Sequence, residues 1–271
     1  MKRILYLLVL LIITLCFMPA AYAKSQAARP ANSAVLDGVF SRRGINGTIV
    51  IYDAARNYWW LHNAARAEER FYPASTFKIF NSLIALSEGV VKDADEVFYR
   101  YDGAPVYLDS WKTDASLRSA IKISQLPAYK ELARKTGIER MQKNIDKLGY
   151  GNGIIGNSID SFWLEGPLEI SALEQVQLLT ELAQHKLPYP PKAQQEVCGI
   201  TVLKSTDAYT LHGKTGWATD NIKTPLGWFV GWVQTKDNLY VFALNMDAAD
   251  PKDLPLREST ALECLTALKL L

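Results

Sequence analysis

Cysteine is scarce in this sequence: three residues in a chain of 271, at positions 16, 198 and 264. That is too few to staple a fold together. Two Cys as far apart in sequence as Cys198 and Cys264 are expected to remain unpaired, buried thiols. Histidine is equally rare. His62, His185 and His212 are scattered, with no HExxH or Cys/His spacing, which argues against a zinc site. A surplus of one charge sign is also lacking: 30 Lys+Arg stand against 28 Asp+Glu, which argues against nucleic acid as a partner. Beyond the N-terminal segment no apolar run is long enough to span a bilayer, and no repeat or low-complexity tract interrupts the chain. What remains is 49% hydrophobic and 21% charged. That composition suits a sizeable core, built as one large domain or two closely packed lobes.

The first 23 residues are a unit apart. Lys2 and Arg3 precede the apolar run "ILYLLVLLIITLCFM", and "AYA" at 21–23 offers small residues for cleavage. This reads as a secretory signal peptide. Cys16 lies inside it without the small neighbours of a lipidated Cys, so a soluble mature protein with no stable membrane anchor is expected. Cleavage removes two basic residues and no acidic one, which brings the net charge near zero.

Further along, "GTIVIYD" (47–53) and "NYWWLHN" (57–63) read as a hairpin. An apolar helix follows from Ser75 and is stopped by Gly89. A polar, mainly helical middle then runs from about 90 to 195. In it, "PAYKELARKTG" opens on Pro127 and ends on Gly137. "SALEQVQLLTELAQHK" carries a capping box, Ser171 with Glu174, and apolar Leu173, Val176, Leu179 and Leu182. "LHGKTGW", "LGWFVGWVQ" and "LYVFALNMD" are strand-like, and the terminal "LRESTALECLTALKLL" has helical spacing. Strands at both ends with helices between predict an α+β fold, one antiparallel sheet flanked by helices with an inserted helical lobe. The expected division of a single domain, 24–271, is a sheet lobe at about 35–72 and 196–271 and a helical lobe at about 73–195.

Within "FYPASTFKIFNSLIALSEG" (71–89), Ser75 precedes Lys78 by three residues, so the two side chains share a helix face. Ile79, Phe80, Leu83, Ile84 and Leu86 leave almost no polar face, so this helix should be buried. A buried Lys is costly unless it is neutral, paired or modified. The hydroxyl would sit at a helix N-terminus, where free N–H groups and the macrodipole stabilise negative charge. A plain N-cap is the bland alternative for Ser75. Both Ser-x-x-Lys and Lys-Thr-Gly occur twice. Ser119/Lys122 lacks a buried helix, and Lys135-Thr136-Gly137 closes an amphipathic helix with ordinary capping residues. Lys214-Thr215-Gly216 falls in a strand, where Gly213 and Gly216 would let a ligand approach the backbone. Glu165 and Glu169 read as solvated loop carboxylates rather than a paired acid and base.

In chain order the motifs run Ser75-Thr-Phe-Lys78, Ser124-Gln-Leu126, Tyr150-Gly-Asn152, Phe162-Trp-Leu164 and Lys214-Thr-Gly216. Ser-x-x-Lys with Lys-Thr-Gly marks penicillin-binding proteins and class A β-lactamases, but the class A Ser-Asp-Asn is absent. With "RFYPASTFKIFNSLIAL", "FWLEGPLEIS", "HGKTGW", "GWFVGWV" and "LPLREST", the ordered set resembles the class D serine β-lactamases, the oxacillinases, from about residue 33 to the C-terminus.

That resemblance implies hydrolysis of β-lactam antibiotics, and hence resistance to them, with Ser75 as nucleophile. It implies a Lys78 carboxylated by CO2 or bicarbonate (N6-carboxylysine) as general base. Trp163 would donate to the carbamate, and Phe77, Leu126 and Leu164 would form apolar walls. Ser124, helped by Lys214, would protonate the departing nitrogen. Backbone N–H groups of Ser75 and Trp217 would form the oxyanion hole. Thr215, Gly216 and Arg257 would bind substrate, Tyr150 would line the site, and Asn152 belongs to the same motif. Leu126 stands where the family usually has Val. The resemblance further implies periplasmic localisation, no metal or other obligate cofactor, and a monomer or homodimer. Two alternatives stay open: a β-lactam sensor domain that is acylated without turnover, and a penicillin-binding transpeptidase or carboxypeptidase.

Overall fold

The computed structural model describes residues 31–219 and 224–271; the expected signal peptide lies outside them. A seven-stranded sheet forms the centre, in the order β1-β3-β2-β9-β8-β7-β6. Its strands are β1 (Ala31–Asn32), β2 (Gly47–Asp53), β3 (Tyr58–His62), β6 (Val202–Ser205), β7 (Tyr209–Ala218), β8 (Leu226–Thr235) and β9 (Leu239–Asp247). All pairs are antiparallel except β1 with β3. β2 pairs directly with β9, Gly47 opposite Met246, so the two ends of the chain share one sheet. A separate ribbon joins β4 (Arg70–Phe71) to β5 (Ile170–Ser171).

Strand side chains alternate between faces, and here both faces are covered. Ile49, Ile51, Phe229, Phe242 and Leu244 pack with buried residues of α1 (Ala34–Arg43) and α9 (Leu254–Ala267). Val50, Trp228, Val230, Val241 and Ala243 face the helical lobe. This double coverage is why β8 and β9 read as nearly continuous apolar runs rather than as alternating ones.

The other helices are α2 (Ala64–Glu68), α3 (Lys78–Ser87), α4 (Leu117–Lys122), α5 (Leu126–Thr136), α6 (Ile138–Leu148), α7 (Ala172–Ala183) and α8 (Pro191–Ile200). α3 is wholly buried from Lys78 to Ala85, as its composition predicts. It ends in a Schellman turn. Val90 N–H reaches Ala85 O, Gly89 N–H reaches Leu86 O, and Gly89 takes the left-handed position at φ +67°. α7 begins with the expected capping box, Ser171 and Glu174 bonding reciprocally, and buries Val176, Leu179 and Leu182.

Three features depart from the sequence reading. α1 is a helix at the start of the expected sheet lobe, where no helix was expected. The stretch from 89 to 116 is mostly irregular rather than helical, with one 3-10 turn at Asp109–Trp111. α8 runs through residue 196, the expected return to the sheet. Cys198 and Cys264 are both free, and burial pushes each thiol up to about 12. Among the described residues no helix is long and apolar enough to cross a membrane.

Candidate active site

Ser75 lies in a 3-10 turn, Ala74–Phe77, that runs directly into α3. It is not the N-cap of the α-helix, which begins three residues later at Lys78. Ala74 holds φ +49°, a conformation unfavourable for a residue with a Cβ and tolerated where neighbours over-determine it. Here they do. Ala74 N–H donates to Trp163 O at 2.8 Å and Thr76 Oγ1 donates to Pro73 O at 2.6 Å. Gln175, from α7, donates its Nε2 to Thr76 Oγ1 at 2.8 Å. A Cβ on Gly216 would lie 3.2 Å from both Pro73 O and Thr76 Cγ2. The glycine thus admits the protein's own turn against β7 rather than a ligand. Gly213 serves packing too, its Cβ space being taken by Phe229 at 2.8 Å and Leu203 at 2.9 Å.

Lys78 is 1% exposed. Its Nζ lies 2.6 Å from Ser75 Oγ and 3.2 Å from Ser124 Oγ, and 5.5 Å from the centroid of the Tyr129 ring. Burial first, and the cationic Lys214 second, hold the amine well below the ordinary lysine value. One amine therefore touches two hydroxyls, and its burial favours the neutral form.

Ser124 arrives from α4. Gln125 N–H bonds back to Ala120 O and Ser124 N–H to Ile121 O, a second Schellman turn. Ser124 fills the left-handed position, φ +54°, where α3 has Gly89. Lys214 lies on β7, 5% exposed, and donates to Thr215 O at 2.8 Å. Burial and Arg257 lower it to about 7, with Glu258 opposing.

Ser75 and Ser124 open into a cleft of about 580 Å³, whose walls include Leu126, Leu164, Thr215, Gly216, Trp217 and Arg257. Arg257 reaches in from α9 and donates to Gly216 O at 2.6 Å and Leu254 O at 2.7 Å; burial lowers its guanidinium to about 10. Trp217 Nε1 donates to Ala248 O at 3.1 Å. Trp163 is fully buried and stacks on Phe77, ring centroids 5.7 Å apart. Its Nε1 has no hydrogen-bond partner among the described residues.

Two expected substrate-binding residues do not reach the cleft. Tyr150 is fully buried, its ring edge-on to Phe77 at 5.4 Å and Phe80 at 5.3 Å. It supports the helix from behind, and burial raises its hydroxyl well above the ordinary range. Asn152 donates to Pro167 O at 2.7 Å and accepts from Ile154 N and Glu169 N at 3.2 Å, which folds the loop that carries Trp163. Glu165 is exposed, whereas Glu169 is half-buried and its carboxyl is raised by burial. Residues the motifs did not single out are Trp111, Tyr107 and Leu108 on the cleft wall, Tyr129 beneath Lys78, and Gln125 and Gln175 behind the two serines. Of these only Gln125 adjoins a motif residue; single aromatics, amides and a leucine elsewhere in the chain are not distinctive in a sequence. Among the described residues no group of three or more His, Cys, Asp or Glu is placed to hold a metal.

A serine hydroxyl set on a buried amine, with a second serine on the same amine and a Lys-Thr-Gly strand alongside, defines an acyl-transfer site of the serine β-lactamase and transpeptidase kind. Residues 33–266 match the family model described as penicillin binding protein transpeptidase domain. The chain is 40% identical over 230 residues to beta-lactamase OXA-5 of Pseudomonas aeruginosa, covering 84% of this chain and 86% of that one. It is 37% identical over 263 residues to beta-lactamase OXA-48 of Klebsiella pneumoniae, covering 97% of each. The crystal structure of FUS-1 (OXA-85), a class D β-lactamase from Fusobacterium nucleatum subsp. polymorphum, superposes with a TM-score of 0.87 at 55% identity, covering 88% of this chain and 98% of that one. The chain belongs to the class D serine β-lactamases.

Proposed function

We propose that this enzyme hydrolyses the amide bond of β-lactam antibiotics through an acyl-Ser75 intermediate, with carboxylated Lys78 as its general base. The observation that carries the reading is the Lys78 amine, buried, shifted toward neutrality and in contact with both Ser75 and Ser124. Only an uncharged amine can add CO2, and an apolar pocket keeps it uncharged. The product is an anion and needs a donor. The Trp163 indole N–H, buried beside Phe77 and without an acceptor, is a donor of the right kind. When attached, the carboxylate supplies a base of ordinary strength next to the nucleophile.

The chain's own residues account for the rest. Ser75 Oγ adds to the lactam carbonyl, and the backbone N–H groups of Ser75 and Trp217 receive the developing oxyanion; one such donor is worth about 3–4 kcal/mol of barrier. Ser124 Oγ passes a proton to the departing nitrogen. Lys214, lowered to about 7, can give or take a proton near neutrality and so replenish Ser124. Thr215 and Arg257 hold the substrate carboxylate, a planar guanidinium matching two oxygens. Leu126 and Leu164 keep water away from Lys78. With the expected signal peptide, this activity belongs in the periplasm and confers resistance to β-lactams.

The test is turnover of a penicillin by the purified mature protein, followed by absorbance and intact mass, with and without bicarbonate. Continuous turnover stimulated by bicarbonate, and no acyl adduct on Ser75→Ala, are expected. One trapped equivalent without turnover would mean a sensor. An adduct persisting on Ser75→Ala would remove the nucleophile assignment.

A further inference from the structure

Gln125 stands between two cleft residues, Ser124 and Leu126, yet its side chain is fully buried and forms no part of the cleft wall. Its Nε2 donates to Trp111 O at 2.9 Å and Thr113 O at 2.8 Å. From the other side Trp111 Nε1 donates to Ile123 O at 3.0 Å. Three hydrogen bonds therefore stitch segment 111–113 to segment 123–125. One segment presents the Trp111 ring to the cleft, and the other holds Ser124 in its left-handed conformation against Lys78. Such a conformation persists only where surrounding contacts over-determine it. The Gln125 Oε1 has no partner among the described residues. Leaving a buried amide oxygen unpaired is unfavourable, so packing alone would be better served by Leu or Met. The two N–H groups are what this position supplies.

We infer that Gln125 is a positioning residue. It clamps the Trp111 wall to the Ser124 turn, so that the wall that meets the substrate and the hydroxyl that protonates its nitrogen keep one fixed relation. This rests on the reading of Ser124 as the proton donor of acylation. Deacylation does not use that proton, so the clamp bears chiefly on acylation.

The experiment is single-turnover kinetics by quench and intact mass, with separate acylation and deacylation rates, on Gln125→Leu, Trp111→Phe and the double variant. Circular dichroism and melting curves accompany each. Gln125→Leu slows acylation by roughly 10–100-fold and leaves deacylation within about twofold, because the displaced group is misplaced rather than lost. Trp111→Phe keeps the ring, removes one of the three bonds and slows acylation less. The double variant falls short of the product of the single effects, since both cut the same clamp. A folded Gln125→Leu acylating at the wild-type rate, equal slowing of both steps, or fully multiplicative effects would each overturn the inference. Gln125→Met, close to Gln in length and volume, is read the same way should the Leu variant not fold. Failure of both to fold would make Gln125 a structural residue and end the proposal. Wild-type enzyme that never acylates Ser75 would instead overturn the proposed function, and the two failures are distinct.

Discussion

At Ser124 backbone and chemistry make opposite demands. The C′ position of a Schellman turn favours glycine, and α3 and α6 place Gly89 and Gly149 there, at φ +67° and +61°. α4 ends instead on a serine whose hydroxyl lies beside Lys78, where the proposed mechanism uses it. Ser124→Gly is therefore expected to be more stable than Ser124→Ala by about 1 kcal/mol, since only alanine retains the steric conflict. Both variants should lose acylation. Urea denaturation of the pair checks this, and equal stabilities would remove the strain. Trp163 carries a similar tension. Trp163→Phe keeps an aromatic ring against Phe77 and deletes a buried donor that has no partner. Since an unsatisfied buried donor costs about 1–3 kcal/mol, the variant should melt no lower than wild type in the absence of bicarbonate, yet need more bicarbonate for half-maximal activity. Lower stability with unchanged bicarbonate demand would contradict the assignment. Lys214 sets a pH dependence. Its folded value is about 7 against an ordinary 10.5, so above pH 7 the unfolded chain binds more protons. Stability then rises with pH, by at most about 1.4 kcal/mol per unit. The buried thiols act oppositely once pH nears their ordinary value of 9, so the clear window is pH 7 to about 8.5. Lys214→Met should lower the slope there, leaving the share of Lys78, whose buried amine is shifted in the same direction.

Elements were legible where local pattern and tertiary role agree. The runs of β2, β7, β8 and β9, the capping box of α7 and the Pro-to-Gly frame of α5 each carry their own signal. α1 did not, because only Leu36, Val39 and Phe40 are buried and Gly38 sits among them. The motif residues Ser75, Lys78, Ser124 and Lys214 were readable from their order along the chain. What surrounds them was not. Ala74 and Ser124 adopt positive φ without glycine, and Gln125 and Gln175 act across sequence distance. Gly216 shows the same point, since its missing side chain matters only because turn 74–77 packs on β7. Gly216→Ala must push that turn by a few tenths of an ångström, so turnover should fall at least tenfold while stability falls by about 1 kcal/mol. Unchanged turnover would mean the turn is not held there.

At the scale of the molecule, the groups proposed to act come from separate stretches of chain that the shared sheet and core bring together. β2 pairs with β9, and one apolar cluster joins Val50, Val230 and Val241 of the sheet to Leu83, Leu148 and Leu179 of the helical lobe. A core shared in this way is expected to make the two lobes unfold as one cooperative unit. Denaturant unfolding followed by tryptophan fluorescence and by far-ultraviolet circular dichroism should give coincident transitions. Two separated transitions would show the lobes to be independent. All of these contacts converge on one amine, buried against a serine hydroxyl and shifted toward its neutral form. Carbon NMR of the enzyme supplied with isotopically labelled bicarbonate examines that amine directly. The account predicts a carbamate resonance that persists in Ser75→Ala and vanishes in Lys78→Ala. Fully active enzyme at neutral pH without that resonance would contradict it.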